Sequence, residues 1–350
     1  MKTFASILLA LSLTGCSLVN LAINRPPCCP PKDAPPLTPS HTRPPAHVWE
    51  SFDGTQFPYL EALPSQGHRP KAVVIMVPGW DGTTADFRPL TAELVKHGYA
   101  AYGIENRYQK YDPIALRRGW AGDWHAWVRD LQAFTQKVRS LQPGVPIYYH
   151  GHSMGCLIAV QATMGATPAV DGLILQSPAI AMMNDDESAF LKSLRVLIFW
   201  MRPPHILVMR TLQKNLTGDR GWDCAWMSCS DRVHAGYTIH FFNQASHMGY
   251  EALQTSRHLG RLPVLAMEGD KDEAATVLQP KGRLKEYILK DLHAGEPGSA
   301  ATYRFYENGH HLTTAGDVSN GKGGLVRVAA IHDILRWLDG QAGRRPSAGH

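Results

Sequence analysis

One stretch limits what this chain can become: residues 145–160, V-P-I-Y-Y-H-G-H-S-M-G-C-L-I-A-V. A β-prone run from Pro146 to His150 enters the pentapeptide Gly151-His152-Ser153-Met154-Gly155. A run of small and apolar residues from Met154 to about Gly165 then leaves it with the composition of a helix. Strand, tight turn and helix around G-x-S-x-G hold a serine at the end of a sheet in a strained backbone conformation. Glycines flank that serine because β-carbons there would collide with neighbouring backbone. A serine hydroxyl is a weak nucleophile at neutral pH. It needs a base, an acid to orient the base, and donors for an oxyanion.

The rest of the chain offers a sheet to carry such a turn. Val48–Phe52 and Gln56–Ala62 flank Asp53-Gly54-Thr55, a hairpin signal. Lys71–Val77 is a continuous apolar run, as in a strand buried on both faces. A helix is expected over Thr84–His97, ended by Gly98, then a strand over Tyr99–Ile104. Asp123–Leu141 carries Trp127, Leu131, Phe134 and Val138 on one helical stripe. Strands follow at Gly172–Gln176, Pro263–Met267 and Thr302–Tyr306, with helices over Thr276–Asp291 and Val326–Leu338. This alternation predicts an α/β fold, a mostly parallel doubly wound sheet opened by an antiparallel hairpin. It breaks between Ala181 and Leu262, a span too long for a plain connection and read as an inserted cap, residues 181–262. The core is then assigned to 46–180 and 263–340, with 341–350 as a tail.

The chain ahead of the core differs in kind. Lys2 followed by the apolar stretch Phe4–Leu13 has the layout of a signal peptide and is too short to span a bilayer. Leu13-Thr14-Gly15-Cys16 resembles the lipobox of bacterial lipoproteins. That resemblance implies cleavage after residue 15, lipidation of Cys16 and, with Ser17 next, anchoring in the outer membrane of a bacterial envelope. Residues 16–45 include the proline-dense run from Arg25 to Pro45, which favours an extended tether. Cys28 with Cys29, and Cys224 with Cys229, are candidates for disulfides in an oxidising compartment, with their pairing open. The net charge of +5 is spread along the chain without a basic block, so nucleic acid is not an expected partner. The chain has 17 histidines but neither H-E-x-x-H nor paired C-x-x-C, so no metal or other cofactor is expected.

Two turns can complete Ser153. Glu268-Gly269-Asp270-Lys271-Asp272 follows the Pro263–Met267 strand, and Glu307-Asn308-Gly309-His310-His311-Leu312 follows the last one. Both lie at carboxyl ends of strands, where sites of open α/β sheets are built, and in the order serine, acid, histidine. With Gly151–Gly155, Ser177-Pro178, Gly269–Asp272 and Gly309–Leu312, the segment from about Trp49 to Leu338 resembles an α/β-hydrolase of the monoacylglycerol lipase/lysophospholipase type. That group is sometimes placed with the S33 serine aminopeptidases, and a helical cap is usual where this chain has its insertion. The resemblance implies Asp272 as the acid, with Asp270 the runner-up. His310 is favoured as the base because it keeps the H-x-L spacing with Leu312, and His311 is the alternative. The oxyanion hole is expected from the N–H groups of Met154 and Trp80. Pro78 stands where that group usually has histidine, and Glu105-Asn106-Arg107-Tyr108-Gln109 replaces a glycine-rich run, leaving Arg107 a structural role. Trp127 and Asp130 keep an aromatic-x-x-Asp pattern.

The expected function is a membrane-anchored serine hydrolase acting on carboxylic esters, with lipid or lysolipid acyl groups favoured. Met182, Met183, Phe199, Trp200, Met201 and Met209 offer an adaptable apolar lining within the insertion. Two alternatives stay open: an S33-type aminopeptidase acting on peptides, and a non-catalytic surface-binding lipoprotein. Cys156 reads as a buried thiol rather than a second nucleophile.

Overall fold

The structure is a computed structural model that describes residues 47–65, 68–80, 82–109, 111–114, 121–164, 170–179, 239–256, 259, 262–270, 272, 292, 300–309, 311–314 and 322–342. Cys16 and the tether, most of 181–262, the Thr276–Asp291 helix and His310 lie outside the described residues.

Eight strands form one sheet: β1 (His47–Glu50), β2 (Gln56–Ala62), β3 (Val73–Val77), β4 (Ala100–Ile104), β5 (Ile147–His152), β6 (Gly172–Gln176), β7 (Val264–Gly269) and β8 (Ala301–Tyr306). Their order is β1-β2-β4-β3-β5-β6-β7-β8. The hairpin joins antiparallel to β4, and every later pairing is parallel. The apolar central strands are buried at every residue, as strands covered on both faces must be.

Side chains alternate between two layers, because successive residues of a strand point to opposite faces. Val73, Ile75, Tyr149, Leu173 and Ala266 face helices α2 (His125–Leu141), α3 (Met154–Ala162) and α4 (Ile239–Ser256). Val74, Met76, Tyr148, Ile174 and Leu265 face α1 (Arg88–Lys96) and α5 (Lys322–Ala342). A 3-10 turn, Thr84–Phe87, leads into α1, so the expected helix there begins as a tighter turn. Helix α4 falls inside the span read as an insertion. Its Phe241, Ala245, Met248 and Ala252 are buried in the main core beside α3, so the core layer resumes by Ile239 rather than at Pro263.

Arg107 ties the hairpin to this frame. Its guanidinium donates to Asp130 at 2.8 Å through both Nε and Nη2, and to Asp53 at 2.6 and 3.0 Å. Ser51 also donates to Asp130, and Trp127 Nε1 donates to the Arg107 carbonyl at 2.8 Å. Trp127 and Asp130 of the aromatic-x-x-Asp pattern thus hold one arginine between them. That guanidinium keeps the Asp53 carboxyl well below the usual range.

Candidate active site

Ser153 immediately precedes α3, as its N-cap, at φ 53° and ψ −119°, a left-handed φ that costs a residue with a β-carbon. The chain is driven there by close approach on both sides. A β-carbon on Gly155 would lie 2.1 Å from the Val77 carbonyl oxygen, and one on Gly151 would lie 2.6 Å from Cys156 Cα. Hydrogen bonds then fix the turn. Ser153 N–H donates to the Gln176 carbonyl at 3.0 Å, and the Ser153 carbonyl accepts from Cys156 N at 3.0 Å and Ala179 N at 3.2 Å. The serine is 8% exposed.

The candidate acid and base follow the ends of β7 and β8. Gly269 and Gly309 allow these two turns to touch backbone to backbone, since a β-carbon on Gly269 would sit 2.1 Å from the Gly309 oxygen. Asp270 N–H donates to the Tyr306 carbonyl at 3.1 Å, while the Asp270 residue is exposed. Asp272, only 3% exposed, meets His311: Nδ1 lies 2.8 and 2.9 Å from its two carboxylate oxygens. The carboxylate only accepts at neutral pH, so the Nδ1 proton belongs to His311 and Nε2 is left to accept another. Of the two histidines the sequence offered, His311 is the one described, and it meets the carboxylate, whereas His310, favoured by the H-x-L spacing, lies outside the described residues. The turn after Gly309 presents His311 to the carboxylate.

His152 is a contact that the motif did not predict. Its ring packs edge-on against His311 at 4.7 Å, and its Nε2 lies 3.3 Å from the His311 carbonyl. A carbonyl only accepts, so Nε2 carries the proton. Burial, and then the neighbouring His311, hold His152 well below the ordinary histidine range, so it stays neutral beside the base. The middle positions of G-x-S-x-G carry no type constraint, which is why sequence gave no signal for it.

The loop after β3 lies against the serine. A β-carbon on Gly79 would be 2.9 Å from Ser153 Cβ, and Asn106 Nδ2 pins the loop by donating to the Pro78 carbonyl at 2.8 Å. Met154, as the first residue of α3, has no intrahelical acceptor for its N–H, and the helix dipole adds positive potential there. Trp80, next to Gly79, packs its ring 5.2 Å from Phe241 and so faces the core layer. Cys156 is buried and its thiol donates toward the Gly151 and Gln176 carbonyls at 3.1 and 3.3 Å. Burial pushes that thiol well above its ordinary value, which keeps it protonated and unreactive. Among the described residues, no group of three His, Cys, Asp or Glu side chains is placed to hold a metal ion.

Comparison with known proteins follows the same lines. Residues 68–316 match the serine aminopeptidase S33 family. The monoglyceride lipases of Rattus norvegicus and Homo sapiens are 26% and 24% identical over 224 residues, which is 62% of this chain and 66% of each relative, just short of two thirds of their length. A soluble variant of monoglyceride lipase from Saccharomyces cerevisiae, solved with a substrate analog, superposes with a TM-score of 0.67 at 19% identity, over 88% of this chain and 99% of that one. A thermostable carboxyl esterase from Bacillus coagulans, in complex with glycerol, gives 0.63 at 15% identity, over 85% and 98%. With its hairpin-led parallel sheet, a serine at positive φ after β5, and an aspartate and a histidine after β7 and β8, the chain has the α/β-hydrolase fold and belongs to the serine aminopeptidase S33 family.

Proposed function

We propose that this protein is a serine hydrolase that cleaves carboxylic esters, with lipid or lysolipid acyl esters as its substrates. The observation that carries this reading is the Asp272–His311 pair, which meets the serine turn at His152, next to a serine held at positive φ. Ser153 Oγ attacks the ester carbonyl while His311 Nε2 takes its proton. Asp272 keeps the ring in the tautomer that can accept it and stabilises the imidazolium. The N–H groups of Met154 and Trp80 face the developing oxyanion, each donor contributing about 2.7–4 kcal/mol to the transition state. His311 returns the proton to the departing alcohol, and the same steps with water release the acid.

Esters are favoured over peptides because the relatives are monoglyceride lipases and a structural neighbour is a carboxyl esterase. The family description favours the competing reading, an aminopeptidase. Monoacylglycerols and p-nitrophenyl esters assayed beside Pro-β-naphthylamide separate the two, and preference for the amide would reverse the choice. Ser153→Ala is expected to lower kcat by about six orders of magnitude, and full ester hydrolysis by that variant would overturn the mechanism. A wild-type protein whose Ser153 resists a fluorophosphonate probe would point to a non-catalytic binding protein instead.

The anchor forms part of the same reading. Cys16 in Leu-Thr-Gly-Cys and the proline-dense segment behind it support a lipidated protein tethered to the outer membrane of a bacterial envelope, close to acyl substrates. No described helix is long and apolar enough to cross a membrane. Cys16→Ser is expected to move the protein from the membrane to the soluble fraction, and unchanged membrane association would remove the anchor from the reading.

A further inference from the structure

Gln176, the last residue of β6, is fully buried and touches both halves of the site. One end of its amide faces the backbone N–H groups of Thr313 and Thr314 at 2.8 and 3.3 Å. A backbone N–H only donates, so that end is the carbonyl oxygen, which also accepts the Thr313 hydroxyl at 3.2 Å. The NH2 group then donates to Thr314 Oγ1 and to His150 Nε2, each at 3.0 Å. Burial pushes His150 down to about 4, so its ring is neutral and can accept that hydrogen bond. The main-chain carbonyl of the same glutamine accepts the Ser153 N–H at 3.0 Å.

We propose, resting on the serine hydrolase reading, that Gln176 is a positioning residue. Its main chain seats Ser153, and its side chain holds the His311 loop through Thr313 and Thr314. Nucleophile and base come from strands β5 and β8, which are not neighbours in the sheet, so their separation depends on what lies between them. Gln176 spans that gap from a strand end. Thr313 and Thr314 follow the base by two and three residues, close enough to fix the placement of its backbone. A side chain that only filled core volume would not need five hydrogen bonds, four of them to that one loop. A misplacement of about 1 Å at such a centre costs on the order of 100-fold in rate.

The test uses Gln176→Met, which keeps the volume and removes the bonds, and Thr314→Val, which removes one hydroxyl at the far end of the same link. Hydrolysis of p-nitrophenyl butyrate is normalised to the sites that fluorophosphonate titrates, with thermal unfolding recorded alongside. For Gln176→Met, kcat is expected to fall on the order of 10- to 100-fold with KM within about twofold, and the acid limb of the pH–rate profile is expected to move. Thr314→Val is expected to show a smaller loss of the same kind, and it decides the matter if Gln176→Met does not fold. In a His311→Ala background either substitution should lower the residual rate no further, because Gln176 acts through that ring. Unchanged kcat and pH profile in folded variants, or an equal loss without His311, would overturn the proposal. Failure of the wild-type protein to react with the probe or the ester would instead overturn the hydrolase reading beneath it.

Discussion

Ser153 and His311 owe their properties to neighbours rather than to their own chemistry. The positive φ of the serine is held by carbonyls and N–H groups around Gly155 and Gln176, so the strain is borne by the fold. His311 is the histidine that, among the described residues, lies on the buried carboxylate of Asp272. His311→Ala is expected to lower kcat for ester hydrolysis by at least about four orders of magnitude, comparable to the loss of a triad member. His310→Ala is expected to stay within about tenfold of the wild type in the same assay. Equal losses in the two variants would break the assignment. His152 adds a constraint of its own, since a charge there would oppose the imidazolium of the proposed reaction, and burial prevents it.

Among the elements, the antiparallel hairpin of β1 and β2 is joined to the parallel sheet by charge as well as by strand pairing. The Arg107 side chain is 2% exposed, and Asp130, at 4%, is nearly as deep. Removing one member of such a pair leaves the other buried without compensation. Arg107→Leu is therefore expected to destabilise the protein by about 3–5 kcal/mol in chemical denaturation. Lys71→Met is the comparison: its ion pair with Asp339 at 3.0 Å is half-exposed on both sides, so its loss is expected to cost no more than about 1 kcal/mol. A similar cost for both variants would mean that the buried network contributes little to holding the hairpin. Helix α4 shows the opposite case, an element attached mainly by apolar packing of Phe241, Ala245, Met248 and Ala252 against the elbow layer, with Gln244 accepting from Trp124 N–H at 3.0 Å and Thr255 donating to Gln161 at 3.3 Å.

At the scale of the whole molecule, two histidines buried without charge make stability depend on pH. His150 is held at about 4 against an ordinary 6.5 by burial, and His152 is depressed in the same direction. Between those values the unfolded chain binds protons that the folded protein refuses, so stability is complete above about pH 6.5 and falls as pH drops toward 4. For His150 alone the loss amounts to about 3 kcal/mol across that window. Urea unfolding midpoints from pH 7 to 4.5 should decline accordingly, and His150→Gln should flatten the slope. A midpoint independent of pH in the wild-type protein would contradict the buried neutral state.

Periodicity, the two-faced burial of β3, and the serine turn with its flanking glycines were all legible in the sequence. Each follows from local rules: a strand buried on both sides is apolar throughout, and a strained turn excludes β-carbons. The turn at the end of β7 that carries Asp272 was legible too. The contact of His311 with Asp272 was not, because the H-x-L spacing pointed to His310 and the meeting of the turns at Gly269 and Gly309 is a property of the packed fold. The place of α4 was hidden for a related reason, since an amphipathic helix does not reveal which neighbour covers it. Gln176 left no mark at all, being one polar residue in a strand whose value lies in what β5 and β8 bring to it. The sequence by itself determined the sheet, the serine and the order of the acid and histidine turns, because those depend on short-range sterics and the strand and helix periods. The tertiary structure decided which histidine meets the carboxylate and which residues hold it there, because hydrogen bonds between strand ends depend on positions that separate parts of the chain take only when packed together.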